Sequence, residues 1–259
     1  MSESILMTAL KNFPLVCAGD DLCELVAQGL ACDAIHLQFG DILVVAQKVV
    51  SKAEGRIVNL NTVKPSAEAL ELAKETQKDP RLVELILLES KSIIRKKTGV
   101  IIVEHNRGWI MANAGIDASN VDSLDTEQNV LLLPLDPEKS AADLREGLMR
   151  RFGVDVAVVI SDSFGRPWRV GTTGVAIGAA GLPSLWDRRG ETDLFGRELQ
   201  VTQQAIGDEV ATAASLLQGQ TSEGRPIVHL RGLNFREFNT AYHRPASDLI
   251  RDISEDMFR

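Results

Sequence analysis

The chain has 259 residues, 44% hydrophobic and 25% charged, with a formal net charge of −8. That length can bury a sizeable core in one or two domains, and the acidity argues against nucleic-acid or membrane-surface partners, which need basic patches. Cys17, Cys23 and Cys32 form no C-x-x-C pair, no leader-like segment follows Met1, and no apolar run reaches the ~18 residues of a membrane span, so a reduced, cytoplasmic protein is expected.

Asp20-Asp21 precedes Leu22, Leu25, Val26 and Leu30, which is capping chemistry followed by helical spacing. Ile42–Ala46 is a short uninterrupted apolar run, the pattern of a buried strand. Lys48, Lys52 and Arg56 follow it at intervals of four and would share one face of a helix. They read equally as a solvated cationic face or as an anion site beside the strand. Pro65-Ser66 opens a helix to about Lys78, and Asp79-Pro80 starts another. Val100–Val103 is a strand, with Asn106-Arg107-Gly108 as a hairpin turn into Trp109-Ile110-Met111. The stretch Ala112–Asn120 is small and polar, too poor in apolar residues for a core. Its Asp117, Ser119 and Asn120 could be cation ligands or an Asx-rich turn.

Val130–Leu133 is again a strand. Ser140 to Asp143 has capping-box spacing for a helix ending at Phe152-Gly153. Val154–Ile160 is a strand that leaves the core at Asp162. There a carboxylate and the Ser163 hydroxyl suit a hard cation, while Arg166 and Arg169 offer planar donors for phosphate or carboxylate. The plainer reading is a strand, a turn and two solvated arginines. Gly171, Gly174, Gly178 and Gly181 allow close backbone approach but match neither a P-loop nor a dinucleotide fingerprint. Asp187 to Asp193 is a charged loop, Thr202–Leu217 a helix, Ile227–Leu230 a strand, and the tail after Pro245 a surface helix. Hairpin signals amid helices predict an α+β fold with mixed sheets and packed helices, in a single catalytic unit over 1–259 that could comprise two interwoven subdomains. Of the four histidines none has metal-ligand spacing, and no nucleophilic triad is evident.

The sequence resembles the coenzyme F-420-0:L-glutamate ligase family, the GTP-dependent γ-glutamyl ligases of coenzyme F-420 synthesis. The motifs are Gly40-Asp41 with Ser51–Arg56, Ala112–Asp117 with Ser119-Asn120, Leu133-Pro134 with Asp136-Pro137 and Ser140-Ala141, Asp162-Ser163 with Gly165–Arg169 and Gly171, and Ala176-Ile177-Gly178. They run in one order from Phe13-Pro14 to about Gly232, leaving the tail over 233–259 outside. The resemblance implies Asp117 and Asp162 as ligands of one Mg²⁺ or Mn²⁺, and Ser163 and Gln220 as ligands of a second, with K⁺ a further candidate. It implies GTP contacts at Pro14, Leu15, Val16, Gln47, Lys48, Lys52, Asn120 and Gly219. Ser163 stands where Thr is common, and Gln47 where a small hydroxyl residue is. The expected catalytic set is Asp117, Asp162, Arg166 and Arg169, with Arg188 joining the two arginines as a clamp for anionic substrate. The implied partners are GTP, L-glutamate, coenzyme F-420-0 and a second copy of the chain. The competing readings are a metal-dependent nucleotide phosphohydrolase, a non-catalytic nucleotide-binding or scaffold protein, and a paralogous ligase with another acceptor.

Overall fold

The computed structural model describes residues 4–119, 121, 128–233 and 244–257. It opens with strand β1 (Leu6–Ala9), helix α1 (Leu22–Cys32), strand β2 (Ile42–Ala46) and helix α2 (Gln47–Ala53). Asp21 caps α1 by accepting from the Cys23 and Glu24 amides. An excursion follows: β3 (Ile57–Asn59), α3 (Ala67–Thr76), α4 (Pro80–Leu88), β4 (Ser90–Lys97), β5 (Val100–His105), β6 (Ile110–Ala112) and β7 (Asn129–Leu131). Ser66 and Asp79 cap α3 and α4, with Pro80 in the first turn of α4. The chain returns through α5 (Pro137–Phe152), β8 (Ala157–Arg166), β9 (Arg169–Ala180), the short β10 (Trp186–Asp187) and β11 (Gln203–Gln204), α6 (Ile206–Gln218) and β12 (Ile227–Arg231).

The main sheet has the order β1-β12-β2-β8-β9, in which β2 and β8 are parallel and the other neighbours antiparallel. This is the α+β arrangement with a mixed sheet that the sequence predicts. Strand β2 lies at its centre. Leu43 and Val45 face a core shared with α1, α2 and α5, while Ile42 and Val44 face one shared with α6. Both faces are covered, which is why β2 reads as an unbroken apolar run rather than an alternation. The excursion has its own sheets, β4-β5-β6 and β3-β7, and a core including Leu72, Val83, Ile86, Ile101 and Val103.

Two glycines of β9 set the helix packing. A β-carbon on Gly174 would lie 2.3 Å from the Ala211 carbonyl oxygen of α6, and one on Gly178 the same 2.3 Å from the Pro137 oxygen of α5. These glycines admit helices, on opposite faces, rather than a ligand. The register slip between Ile160 and Ser161, where Ile177 is extra on β9, explains the change of face over an even spacing. Strand β9 is also the sheet edge. Its Ala176 and Ala179 amides are taken by Asp208 of α6 and Glu138 of α5, which covers donors that a foreign strand could otherwise use.

Several boundaries differ from expectation. Helix α5 begins at Pro137, not Ser140, because Asp136 accepts from the Lys139 amide and is the true cap. Strand β4 was not foreseen, since its Ser, Lys and Arg content masks any alternation. Helix α6 begins at Ile206, because Gln203-Gln204 pair with Trp186-Asp187. Strand β8 continues past Asp162 to Arg166 as a ribbon with β9. After Pro245 there are two 3₁₀ turns, Ala246–Leu249 and Ile253–Glu255, rather than a surface helix, and Ala246 is buried.

Candidate active site

The parallel pair β2–β8 determines where the site forms. The register ends with Ala46 opposite Ser161. Beyond it, β2 turns into α2 while β8 runs on without that neighbour. Gln47 and Asp162 therefore emerge side by side where the apolar core stops, and the Gln47 amide hydrogen-bonds the Asp162 carboxylate. Period-two alternation places Asp162 on the face of Ile160 and Phe164, toward α2, and Ser163 on the opposite face, toward α6. The two neighbours in sequence thus point into different spaces.

Asp117 arrives from the excursion. The turn before it is held in the left-handed region at Asn113, Ala114 and Gly115, with φ of 52°, 54° and 69°. Such a conformation costs roughly 1–2 kcal/mol at a non-glycine residue, and packing sustains it: Ala114 is buried among Val83, Ile86 and Ile101. It is therefore core, contrary to the reading of this stretch as all loop. A β-carbon on Gly115 would collide with Met111 at 2.6 Å and Leu133 at 2.8 Å. Asp117 then exchanges both backbone hydrogen bonds with Leu131, which anchors its Cα.

The side chains converge on α2. Lys48 Nζ lies 2.6 Å from Asp117 Oδ2 and donates to Ser119 Oγ at 2.8 Å, while the Ser119 amide donates to Asp117 Oδ1 at 2.6 Å. The plainer reading of this loop is the one seen: it is an Asx turn, and its carboxylate is paired with the Lys48 ammonium. Burial pushes the Asp117 carboxyl up, but Lys48 and Ser119 outweigh it and hold it below the usual range. Asp162 goes the other way. Burial of its carboxyl pushes it up to about 6, and the charge of Asp117 adds to this, against hydrogen bonds from the Ser163 amide and Gln47 and the charge of Lys48. The opposed shifts of neighbouring carboxylates make the place a candidate functional centre.

The remaining candidates are spread around this centre. Lys52 lies one turn after Lys48 on α2, half-buried. Arg56 does not share their face. It follows the helix and is committed to the Leu133 carbonyl and Glu89. Pro14 and Leu15 are exposed, Val16 packs in the core with Val49 and Val50, and the Gly19 amide donates to Ala53, so this segment lies along α2. Gln218 and Ala46 both donate to the Pro226 carbonyl, which brings the end of α6, with Gly219 and the exposed Gln220, to the start of α2. Arg166 and Arg169 face each other at the tip of the β8–β9 hairpin, about 13 Å along the strand from Asp162 at ~3.3 Å per residue. One guanidinium nitrogen of Arg166 is buried with no hydrogen-bond partner among the described residues. Arg188 stacks on Trp186 at 4.3 Å and pairs with Glu191. Asn120 lies outside the described residues. Sequence reasoning missed the Gln47–Asp162 contact and the Ser51 hydroxyl behind it. Only the spacing of four between Gln47 and Ser51 hinted at that.

Among the described residues no cluster of three or more His, Cys, Asp or Glu side chains could hold a metal. Two carboxylates, one of them already paired with an ammonium, suit a hard cation that takes one or two carboxylates and completes its shell with water and phosphate. The residues present therefore fit Mg²⁺ or Mn²⁺. No helix among them is long and apolar enough to cross a membrane.

Comparison with known proteins identifies the family. The sequence profile of the F420-0:gamma-glutamyl ligase family matches residues 11–232. A coenzyme F420:L-glutamate ligase of Methanothermobacter thermautotrophicus is 49% identical over 229 residues, covering 88% of this chain and 89% of that protein. Proteins of the same name from Methanopyrus kandleri and Methanocaldococcus jannaschii are 48% and 43% identical, over 93% and 92% of this chain and 92% and 90% of their own lengths. The chain belongs to the F420-0:gamma-glutamyl ligase family.

Proposed function

We propose that this family member joins L-glutamate to coenzyme F420-0 through an amide bond, at the expense of GTP and with a divalent cation. The observation that carries the reading is the convergence of Lys48, Asp117 and Asp162 from three separate elements at the end of the parallel strand pair. In this reading Asp117 and Asp162 hold one Mg²⁺ or Mn²⁺, and Ser163 with Gln220 a second. Such ions would neutralise charge on the phosphate oxygens.

A carboxylate is a poor electrophile and needs activation before an amine can attack. The acceptor carboxylate attacks the γ-phosphorus of GTP, a P–O bond forms, and GDP leaves. The glutamate amine then attacks the acyl carbon, a C–N bond forms, phosphate leaves, and the amine proton passes to water. Lys48 and Lys52 hold phosphate charge. Lys48, paired with Asp117 here, would turn to the nucleotide phosphates where a divalent cation was held by Asp117, and the phosphate charge would offset the added positive charge. Arg166 and Arg169 receive the anionic acceptor at the hairpin tip. Arg188 assists only if it gives up Glu191. Positioning and charge stabilisation supply most of such a reaction, so no enzyme nucleophile is needed. The protein acts as a cytoplasmic homodimer in this reading. Trp168, Val170, Leu194 and Phe195, all exposed on the hairpin and the loop after β10, supply apolar surface for association.

The test is GTP turnover with Mn²⁺, with and without L-glutamate and coenzyme F420-0, read by mass spectrometry of the deazaflavin. A product heavier by one or two glutamyl units with matching GDP supports the ligase. GDP release independent of both co-substrates overturns it in favour of a phosphohydrolase.

A further inference from the structure

We propose that Gln47 is a positioning residue that orients the Asp162 carboxylate for its cation, and that Ser51 in turn orients Gln47. The side chain of Gln47 is 2% exposed and Ser51 is fully buried. The Ser51 hydroxyl, one turn further along α2, donates to Gln47 Oε1 at 2.9 Å. That occupies the amide oxygen and leaves Nε2 to donate. An ionised carboxylate only accepts, so the amide can meet Asp162 through its nitrogen alone. The register supports this on backbone grounds, since Gln47 and Asp162 each follow the last paired residues of β2 and β8.

The consequence is a change of role within this chain. Family resemblance implies a nucleotide contact at Gln47, where a small hydroxyl residue is common. A glutamine fills the same space differently. Its side chain is turned from solvent into the protein and spans from Ser51 to Asp162. Lys48, the next residue, remains directed at Asp117. The two aspartates are therefore held from consecutive positions of one helix, Asp117 by an ammonium and Asp162 by an amide. Groups that orient a metal ligand are typically worth about 10–100-fold in metal affinity.

The inference rests on the proposed cation at Asp162, and its test separates the two. Mn²⁺ binding to the nucleotide-free protein is measured for wild type, Gln47→Met, Ser51→Ala and the double variant. The expected result is an affinity loss of about 10–100-fold for Gln47→Met, a smaller loss for Ser51→Ala, and a double variant no weaker than Gln47→Met, because both act through one contact. Unchanged Mn²⁺ affinity in Gln47→Met with a raised KM for GTP overturns the inference in favour of a nucleotide contact. A lowered melting temperature with unchanged Mn²⁺ affinity overturns it in favour of packing. If wild type binds no Mn²⁺, the metal reading fails, and the side-chain amide protons of Gln47 decide in the metal-free protein. They should be protected from exchange and shift in Asp162→Ala, and no shift refutes the positioning role.

Discussion

Protonation of Asp162 should compete directly with metal binding. Its carboxyl is pushed up to about 6 by burial and by the charge of Asp117. Asp117, raised by burial, is nonetheless held below the usual carboxylate range by Lys48 and Ser119. A cation requires Asp162 ionised. One proton in competition at a site of pKa about 6 leaves affinity untouched at pH 8, lowers it about tenfold at pH 5 and about a hundredfold at pH 4. Mn²⁺ titrations of the nucleotide-free protein across pH 4–8, followed by the paramagnetic resonance of free Mn²⁺, measure this. Lys48→Met is the internal control. Removing the ammonium that lowers Asp162 should move the midpoint upward. The same linkage has a stability arm. A carboxyl raised in the fold favours the folded state below its unfolded pKa of 3.8, and that contribution is lost as pH rises toward about 6. Metal-free protein should therefore be destabilised at this site across that window, and Mn²⁺ should restore it. A flat Mn²⁺ affinity between pH 5 and 8, or a midpoint that Lys48→Met does not move, would refute the argument.

Asp162→Ala should abolish glutamyl transfer while circular dichroism and melting temperature show an intact fold. Full activity in that variant removes Asp162 from the site. At the other end of β2, Asp41 is 1% exposed and receives hydrogen bonds from Arg231 and the Gln38 amide, with His229 Nε2 at 2.8 Å. Burial pushes its carboxyl up, yet these partners outweigh it and lower it to about 2. A lowered carboxyl contributes stability above its unfolded pKa, here about 2 kcal/mol, which is lost as pH falls from about 4 to 2. Asp41→Asn should cost about 3–5 kcal/mol at pH 7 by leaving buried donors uncompensated and should flatten that acid limb, as urea titrations at pH 7 and 3 would show. Gly174→Ala drives a β-carbon against the Ala211 carbonyl and should cost about 1–3 kcal/mol, a fall of roughly 2–4 °C in Tm per kcal/mol. An unchanged Tm would mean that α6 is free to shift.

Much of the site is legible one residue at a time. The apolar run Ile42–Ala46 has to be a buried strand, and Asp21, Ser66 and Asp79 have to cap helices, because those signals are local. Asp162 stands out because a carboxylate ends an apolar run, although the strand itself continues as a ribbon. Other local signals mislead where two compete. Asp136-Pro137 starts α5 one turn before the capping-box spacing at Ser140, and the polar β4 shows no alternation because both its faces are largely solvated. The glycines of β9 advertise close approach without saying what approaches. Only the packed structure shows α5 and α6 against them.

Sequence alone thus determined most of the helices and the buried strands, the mixed architecture, the family resemblance and the identity of the acidic and basic candidates, since each depends on short-range pattern or on motif order. Tertiary structure decided which candidates meet. Lys48 finds Asp117 across 69 positions because the excursion folds back and its left-handed turn aims Asp117 at α2. Arg56 is drawn off to Glu89 by the same fold, and Gln47 meets Asp162 because two parallel strands end in register. The opposed acidities of Asp117 and Asp162 follow from that assembly. They depend on burial, on hydrogen bonds from Ser119, the Ser163 amide and Gln47, and on the distances between the two carboxylates and one ammonium, none of which exists until the chain has folded.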